Sequence, residues 1–201
     1  MSKINALCVY CGSSPGTDPA FVETARSFGK ILAASEIRLV YGGGSTGLMG
    51  ALAHAVLDHG GEVTGIIPEF LTRRERPRRL PQELIVTTDM HDRKWRMFER
   101  ADGFVALPGG IGTLEETVEQ LTWVQLGHHQ KPVLFANIKG FWQPLIELID
   151  HMRSLGFIHS ERLFGYLVVD RIEDALPRLA AHRAAVPPEL TTDQKKVIER
   201  L

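Results

Sequence analysis

Two cysteines in 201 residues and a formal net charge of −1 remove several classes of protein at the outset. A disulfide-stapled secreted scaffold needs more cysteine than this. Cys8 and Cys11 have C-x-x-C spacing, but Cys8 lies inside the strand-like run Ala6-Leu7-Cys8-Val9-Tyr10. Residues three apart on a strand point to opposite faces, which is poor geometry for a shared metal or a disulfide. With no further cysteine to complete a site, both thiols read as small apolar core residues, and no metal is expected. A balance of charge this close to zero supplies no basic field for nucleic acid or an anionic membrane surface, so the expected partner is a small molecule. No apolar run approaches the roughly 20 residues of a membrane span. Met1-Ser2-Lys3-Ile4-Asn5 leads into a strand pattern without the apolar stretch of a signal peptide, which predicts a cytoplasmic protein.

What the chain does have is 44% apolar residues, enough for one well-buried core. Short runs rich in Val, Ile and Leu alternate with longer amphipathic stretches, the pattern of a parallel sheet covered on both faces by helices. Strands are predicted at 6–11, 37–41, 62–67, 83–87, 103–107, 132–136 and 166–169, and helices at 19–35, 48–59, 90–101, 114–126, 141–155 and 172–181. Gly60-Gly61 and Gly127 fall where helices need left-handed caps. The expected fold is therefore α/β, a Rossmann-like parallel sheet of about seven strands. It forms a single domain over 1–183, followed by a polar tail, 184–201, that contains Pro187-Pro188.

In such sheets ligands gather beyond the carboxyl ends of the strands, and the unusual residues of this chain fall there repeatedly. The first strand ends in Gly12-Ser13-Ser14, the second in Gly42-Gly43-Gly44-Ser45-Thr46-Gly47, and the fifth in Pro108-Gly109-Gly110-Ile111-Gly112-Thr113. Glycine allows close backbone approach, while Ser13, Ser14 and Thr46 offer hydroxyls to an anionic or hydroxylated ligand. The third turn opens a helix, whose free N–H groups and dipole suit a phosphate. Neither G-x-G-x-x-G after the first strand nor G-x-x-x-x-G-K-[ST] occurs, so dinucleotide and P-loop readings lose support. Taken singly, each turn reads equally as a tight turn or a ligand contact, because glycine serves both.

Two charged clusters flank this edge. Asp89 reads as the N-cap of a helix carrying Arg93 and Lys94 in its first turn, where a cation is disfavoured unless an anion binds. The competing reading is a basic solvent face, continued by Arg96 and Arg100. Glu116 is a candidate acid or base beside the phosphate cradle, but Thr113 with Glu116 also matches a capping box. The arginine run at 73, 74, 76, 78 and 79 has no interleaved aromatics and reads as a solvated loop or a lid rather than a nucleic-acid site. His128-His129 reads as a helix-end pair that favours imidazolium. Trp95 and Trp123 read as core or interface.

Cys11-Gly12-Ser13-Ser14, Tyr41-Gly42-Gly43-Gly44 with Gly47-Leu48-Met49-Gly50, Met90-His91-x-Arg93-Lys94 and Pro108-Gly109-Gly110-x-Gly112-Thr113-x-x-Glu116 together resemble the LOG ("lonely guy") family. These are cytokinin riboside 5'-monophosphate phosphoribohydrolases, once mislabelled as lysine decarboxylases. The resemblance spans nearly all of the chain up to the last strand. It implies cleavage of the N-glycosidic bond of adenosine 5'-monophosphate or its N6-substituted forms, releasing base and ribose 5-phosphate with no cofactor. It places the catalytic pair at Arg93 and Glu116, a substrate contact at Lys94, and the phosphate cradle at Gly109, Gly110, Gly112 and Thr113. Glu75 and Thr122 match further positions near the nucleotide, and a homodimer is implied, with the Trp123 helix as its contact. Two other readings share the fold: a nucleotide or cofactor carrier like the molybdenum cofactor carriers, and a phosphosugar-binding regulator. A carrier needs the glycine cradle but not the Arg93–Glu116 pair.

Overall fold

The computed structural model describes residues 4–72, 81–158 and 165–185. Seven apolar runs form strands β1 (Ala6–Tyr10), β2 (Arg38–Tyr41), β3 (Val63–Pro68), β4 (Glu83–Thr87), β5 (Gly103–Ala106), β6 (Val133–Ala136) and β7 (Leu167–Val169). The helices are α1 (Pro19–Ala34), α2 (Gly47–Asp58), α3 (Met90–Glu99), α4 (Ile111–Gln125), α5 (Gln143–Ser154) and α6 (Ala175–Ala185). The strands pair throughout in parallel, in the order β4-β3-β2-β1-β5-β6-β7. The α/β Rossmann-like sheet expected from the pattern is the one observed.

Alternation along each strand divides the core in two. Leu7, Val9 and Cys11 join Leu39, Val105 and Leu134 under α1, α2 and α6. Cys8 and Tyr10 join Val40, Phe104 and Phe135 under α3, α4 and α5. The two cysteines therefore lie on opposite faces, both buried and free. Each Leu, Ile or Val sealed in these layers stabilises the fold by about 1.5–3 kcal/mol.

Helix ends follow their local chemistry. Gly60 and Gly127 adopt φ of 75° and 72° just past the ends of α2 and α4, as left-handed caps do. Helix α5 opens at Gln143 rather than 141, because a 3₁₀ turn (Ile138–Gly140) precedes it and a proline sits in its first turn. Helix α6 likewise follows a 3₁₀ turn (Ile172–Asp174) and runs on to Ala185. Helix α4 opens at Ile111, three residues before the predicted start, since Gly110 serves as its N-cap and Gly112 is tolerated in its first turn.

Candidate active site

The strand order reverses between β1 and β5, the point at which sheets of this kind bind ligands beyond the carboxyl ends of their strands. Hydrogen bonds bind the three glycine turns into one assembly. The Gly12 N–H donates to the Pro108 carbonyl at 3.1 Å, and the Leu48 N–H donates to the Gly12 carbonyl at 3.0 Å. The Thr46 hydroxyl donates to the Ser13 carbonyl at 3.0 Å. Close approach makes glycine necessary at two points. A Cβ at Gly109 would collide with Thr113 Oγ1 and lie 2.9 Å from the Gly12 nitrogen, and one at Gly47, where φ is 58°, would overlap the Ser13 backbone. Around Gly110 and Gly112 the space is open. Gly43 is buried against Ile67 at φ 76°, in the left-handed region that favours glycine. Ser13 and Ser14 are exposed at the same edge.

The helix N-termini differ in how they are closed. Asp18 and Asp89 cap α1 and α3 with their carboxylates, whereas no side chain caps α2 or α4. In α4 the first bond back along the helix runs from the Leu114 N–H to the Gly110 carbonyl. The N–H groups of Ile111, Gly112 and Thr113 therefore stand ahead of the ladder, in reach of an anion.

Helix α3 supplies the cation. It links the edge strand β4 to β5, so it crosses back over β3 and β2. Arg93 Nε donates to the Ile66 carbonyl at 3.2 Å, and its guanidinium lies so close to Gly42 that a Cβ there would collide with it. Arg93 Nη1 meets Glu116 Oε1 on α4 at 2.9 Å, with both side chains buried. Burial pushes the Glu116 carboxyl above its ordinary range; Arg93 opposes that rise without cancelling it. Beside them Lys94 Nζ donates to Glu115 Oε1 at 2.6 Å and to Glu119 Oε1 at 2.8 Å. Burial disfavours its ammonium, but the hydrogen bonds to both glutamates carry it above its usual value.

Readings that the sequence leaves open are decided here, and one expectation, for His129, is corrected. Arg93 and Lys94 are buried rather than part of a basic solvent face, and the charge they meet is carboxylate. Glu116 does not close a capping box: α4 starts at Ile111, Thr113 is its third residue, and the Glu116 carboxylate is on Arg93. His129 is buried, tilted against the Phe98 and Phe104 rings, and its pKa is pushed down to about 4, chiefly by burial, so it is neutral and not an imidazolium cap. Thr122 is exposed on α4 with its hydroxyl on the Val118 carbonyl. Glu75 and the arginine run fall outside the described residues. Glu119, Gln120 and Tyr10 were not anticipated. Glu119 and Gln120 follow Glu115 and Glu116 by four positions, the spacing that puts side chains on one helix face. Among the described residues, no three His, Cys, Asp or Glu side chains are grouped to hold a metal ion.

An uncapped helix N-terminus with a buried Arg–Glu pair at a sheet reversal points to an anionic ligand and a carboxylate held apart from water. A family model described as possible lysine decarboxylase matches residues 49–179. The cytokinin riboside 5'-monophosphate phosphoribohydrolase LOG of Oryza sativa subsp. japonica is 48% identical over 160 residues, which cover 80% of this chain and 66% of that protein. The chain belongs to the LOG family. Another LOG-family relative, the cytokinin riboside 5'-monophosphate phosphoribohydrolase of Rhodococcoides fascians, is 44% identical over 172 residues, covering 85% of this chain and 87% of that protein. The molybdenum cofactor binding protein of Rippkaea orientalis has the same fold, with a TM-score of 0.66 at 19% identity over 90% of this chain and 98% of its own. That likeness extends to architecture only.

Proposed function

We propose that this LOG-family chain hydrolyses the N-glycosidic bond of N6-modified adenosine 5'-monophosphates, and of AMP itself, releasing free base and ribose 5-phosphate. The observation that carries the reading is the buried Arg93–Glu116 pair beside the open N-terminus of α4. A carrier would need the cradle without the pair, and the relatives named as phosphoribohydrolases favour turnover. Gly109, Gly110, Gly112 and Thr113 receive the 5'-phosphate, aided by Ser13 and Ser14, while Gly43 sets the second turn. Glu116, deprotonated, stabilises positive charge developing on the ribose and orients the attacking water, as carboxylates do in glycoside hydrolysis. The C1'–base bond breaks, the water oxygen bonds to C1', one of its protons passes by way of Glu116 or solvent to the departing base, and the other stays on the new C1' hydroxyl. Arg93 holds the anionic substrate in register. Lys94 acts beside it, with Glu75 and Thr122 as further nucleotide contacts.

Lysine decarboxylation is a poor fit to the chemistry of Lys94. Schiff-base formation needs a neutral amine, and two carboxylates hold this ammonium charged.

The reading includes a homodimer and a cytoplasmic location. Trp95, Trp123 and His128 cluster on the outer side of α3 and α4, with Trp95 43% exposed and Leu126 53% exposed. A second copy covering this face would remove its apolar surface from water. No helix among the described residues is long and apolar enough to cross a membrane. The deciding assay incubates the protein with AMP, N6-isopentenyl-AMP, the matching ribosides and other nucleoside monophosphates, and follows free base by chromatography. Release from the monophosphates and not from the ribosides is the expected result; no release from any nucleotide returns the chain to the carrier reading.

A further inference from the structure

The face of α4 that carries Glu116 also buries Gln120 one turn further on, fully sealed, with neither end of its carboxamide hydrogen-bonded. Opposite, on β1, Tyr10 shares the core layer beneath α3 and α4, stacks on Phe104 at 6.0 Å, and has a buried hydroxyl with only the weakly bonding Cys8 thiol beside it. Glu119 Oε2, whose sister oxygen holds Lys94, is sealed and unpartnered too. Apolar side chains of similar shape would avoid the penalty of leaving buried donors and acceptors unmet. Packing alone therefore does not account for a phenol and a carboxamide here.

We propose that Tyr10 and Gln120 are positioning residues for Glu116, neutral donors held behind its carboxylate so that it stays ionised when Arg93 engages an anionic substrate. The inference rests on the hydrolase reading for its consequence in turnover. Arg93 from α3 contacts Glu116, and the charged and titratable groups coupled to it through space are Lys94 from α3, Glu115 and Glu119 from its own helix, and Cys8, Tyr10 and Cys11 from β1 and the residue after it. In this set the two cations already have carboxylate partners, and the other two carboxylates repel a charge on Glu116. Both thiols are driven far up by burial and stay neutral. The dipoles left to turn toward the carboxylate are Gln120 Nε2, which has no partner, and Tyr10 Oη, whose neighbour is the weakly bonding Cys8 thiol.

The test is a titration of the Glu116 carboxyl by carbon-13 NMR in the full chain, its resonance assigned as the one absent in Glu116→Gln. In Tyr10→Phe and in Gln120→Met, loss of a donor to the charged form should raise the midpoint by about half a pH unit or more. The acid limb of kcat should move with it while KM stays put. Should Gln120→Met fail to fold, Tyr10→Phe, which removes one oxygen, carries the measurement alone. A Glu116 titration that overlays the wild type in the folded variants overturns the proposal, whatever happens to melting temperature. A displaced midpoint in a protein that releases no base upholds the positioning role and instead removes the hydrolase reading.

Discussion

Glu116 combines two properties that seldom coexist in a carboxylate: it is buried, and its ion-pair partner, Arg93, does not restore its ordinary acidity. Burial strengthens its interaction with any positive charge formed nearby, because the local dielectric is low. Replacing it tests the proposed role. Glu116→Gln should keep the circular dichroism spectrum and nucleotide binding yet lower kcat by roughly 10²- to 10⁴-fold; full activity in that variant would remove Glu116 from the chemistry. Arg93→Ala separates the partners. A buried carboxylate left alone should cost about 3–5 kcal/mol at neutral pH, as read from urea denaturation. Since the folded-state pKa of Glu116 is raised, the charged form is the disfavoured one. The deficit should shrink as acid protonates the group and grow as pH rises through its folded value. His129 has the opposite sign. Its pKa falls from 6.5 to about 4 on folding, so the stability it supports is present above about 6.5 and is lost as pH drops toward 4. Denaturation midpoints of His129→Gln should show a flatter dependence across that window.

At the scale of elements, the N-terminus of α4 is where sequence and structure agree in substance and differ in detail. Strand, glycine turn and helix were legible from Gly103 to Glu116 because apolar run and turn chemistry are local signals. The start at Ile111 was not, since two glycines argue against helix until one is seen to be the cap. That shift by one turn moves Glu116 from a capping position to one facing Arg93. The glycines of this turn also divide by role. Gly110→Ala meets open space, so it should leave stability unchanged while raising KM for a 5'-monophosphate and sparing the weak binding of the matching riboside. Gly109→Ala collides with Thr113 and with the β1 turn, so it should destabilise the fold as well. Equal effects of both variants on thermal midpoint would contradict this division. In sequence, the basic cluster on α3 stays open between an anion site and a solvent face for a related reason. Charge in a sequence suggests solvent, and nothing local reveals that Glu115, Glu116 and Glu119 lie across from Arg93 and Lys94.

The whole molecule explains how such distant residues meet. Because β4 is an edge strand and β5 pairs with β1, α3 must return across β3 and β2, which brings Arg93 onto the Ile66 carbonyl and over Gly42. The same crossing sets α3 beside α4 and gathers the exposed Trp95 and His128 rings and the half-buried Trp123 on their outer side. If this face joins two copies, light scattering should report a dimer for the wild type and a monomer for Trp95→Glu, whose partly exposed position lets the protomer stay folded. A dimer that survives both Trp95→Glu and Leu126→Glu would place the contact elsewhere. Sequence by itself determined the parallel α/β layering, the opposed faces of Cys8 and Cys11, the glycine turns and the family, because alternation, turn chemistry and ordered motifs are properties of neighbouring residues. Tertiary structure alone decided that Arg93 pairs with Glu116, that Lys94 is held by two glutamates, that His129 is neutral, and that Tyr10 and Gln120 are sealed behind the site. Those outcomes depend on strand order and on burial, and both arise only when distant segments exclude water from one another.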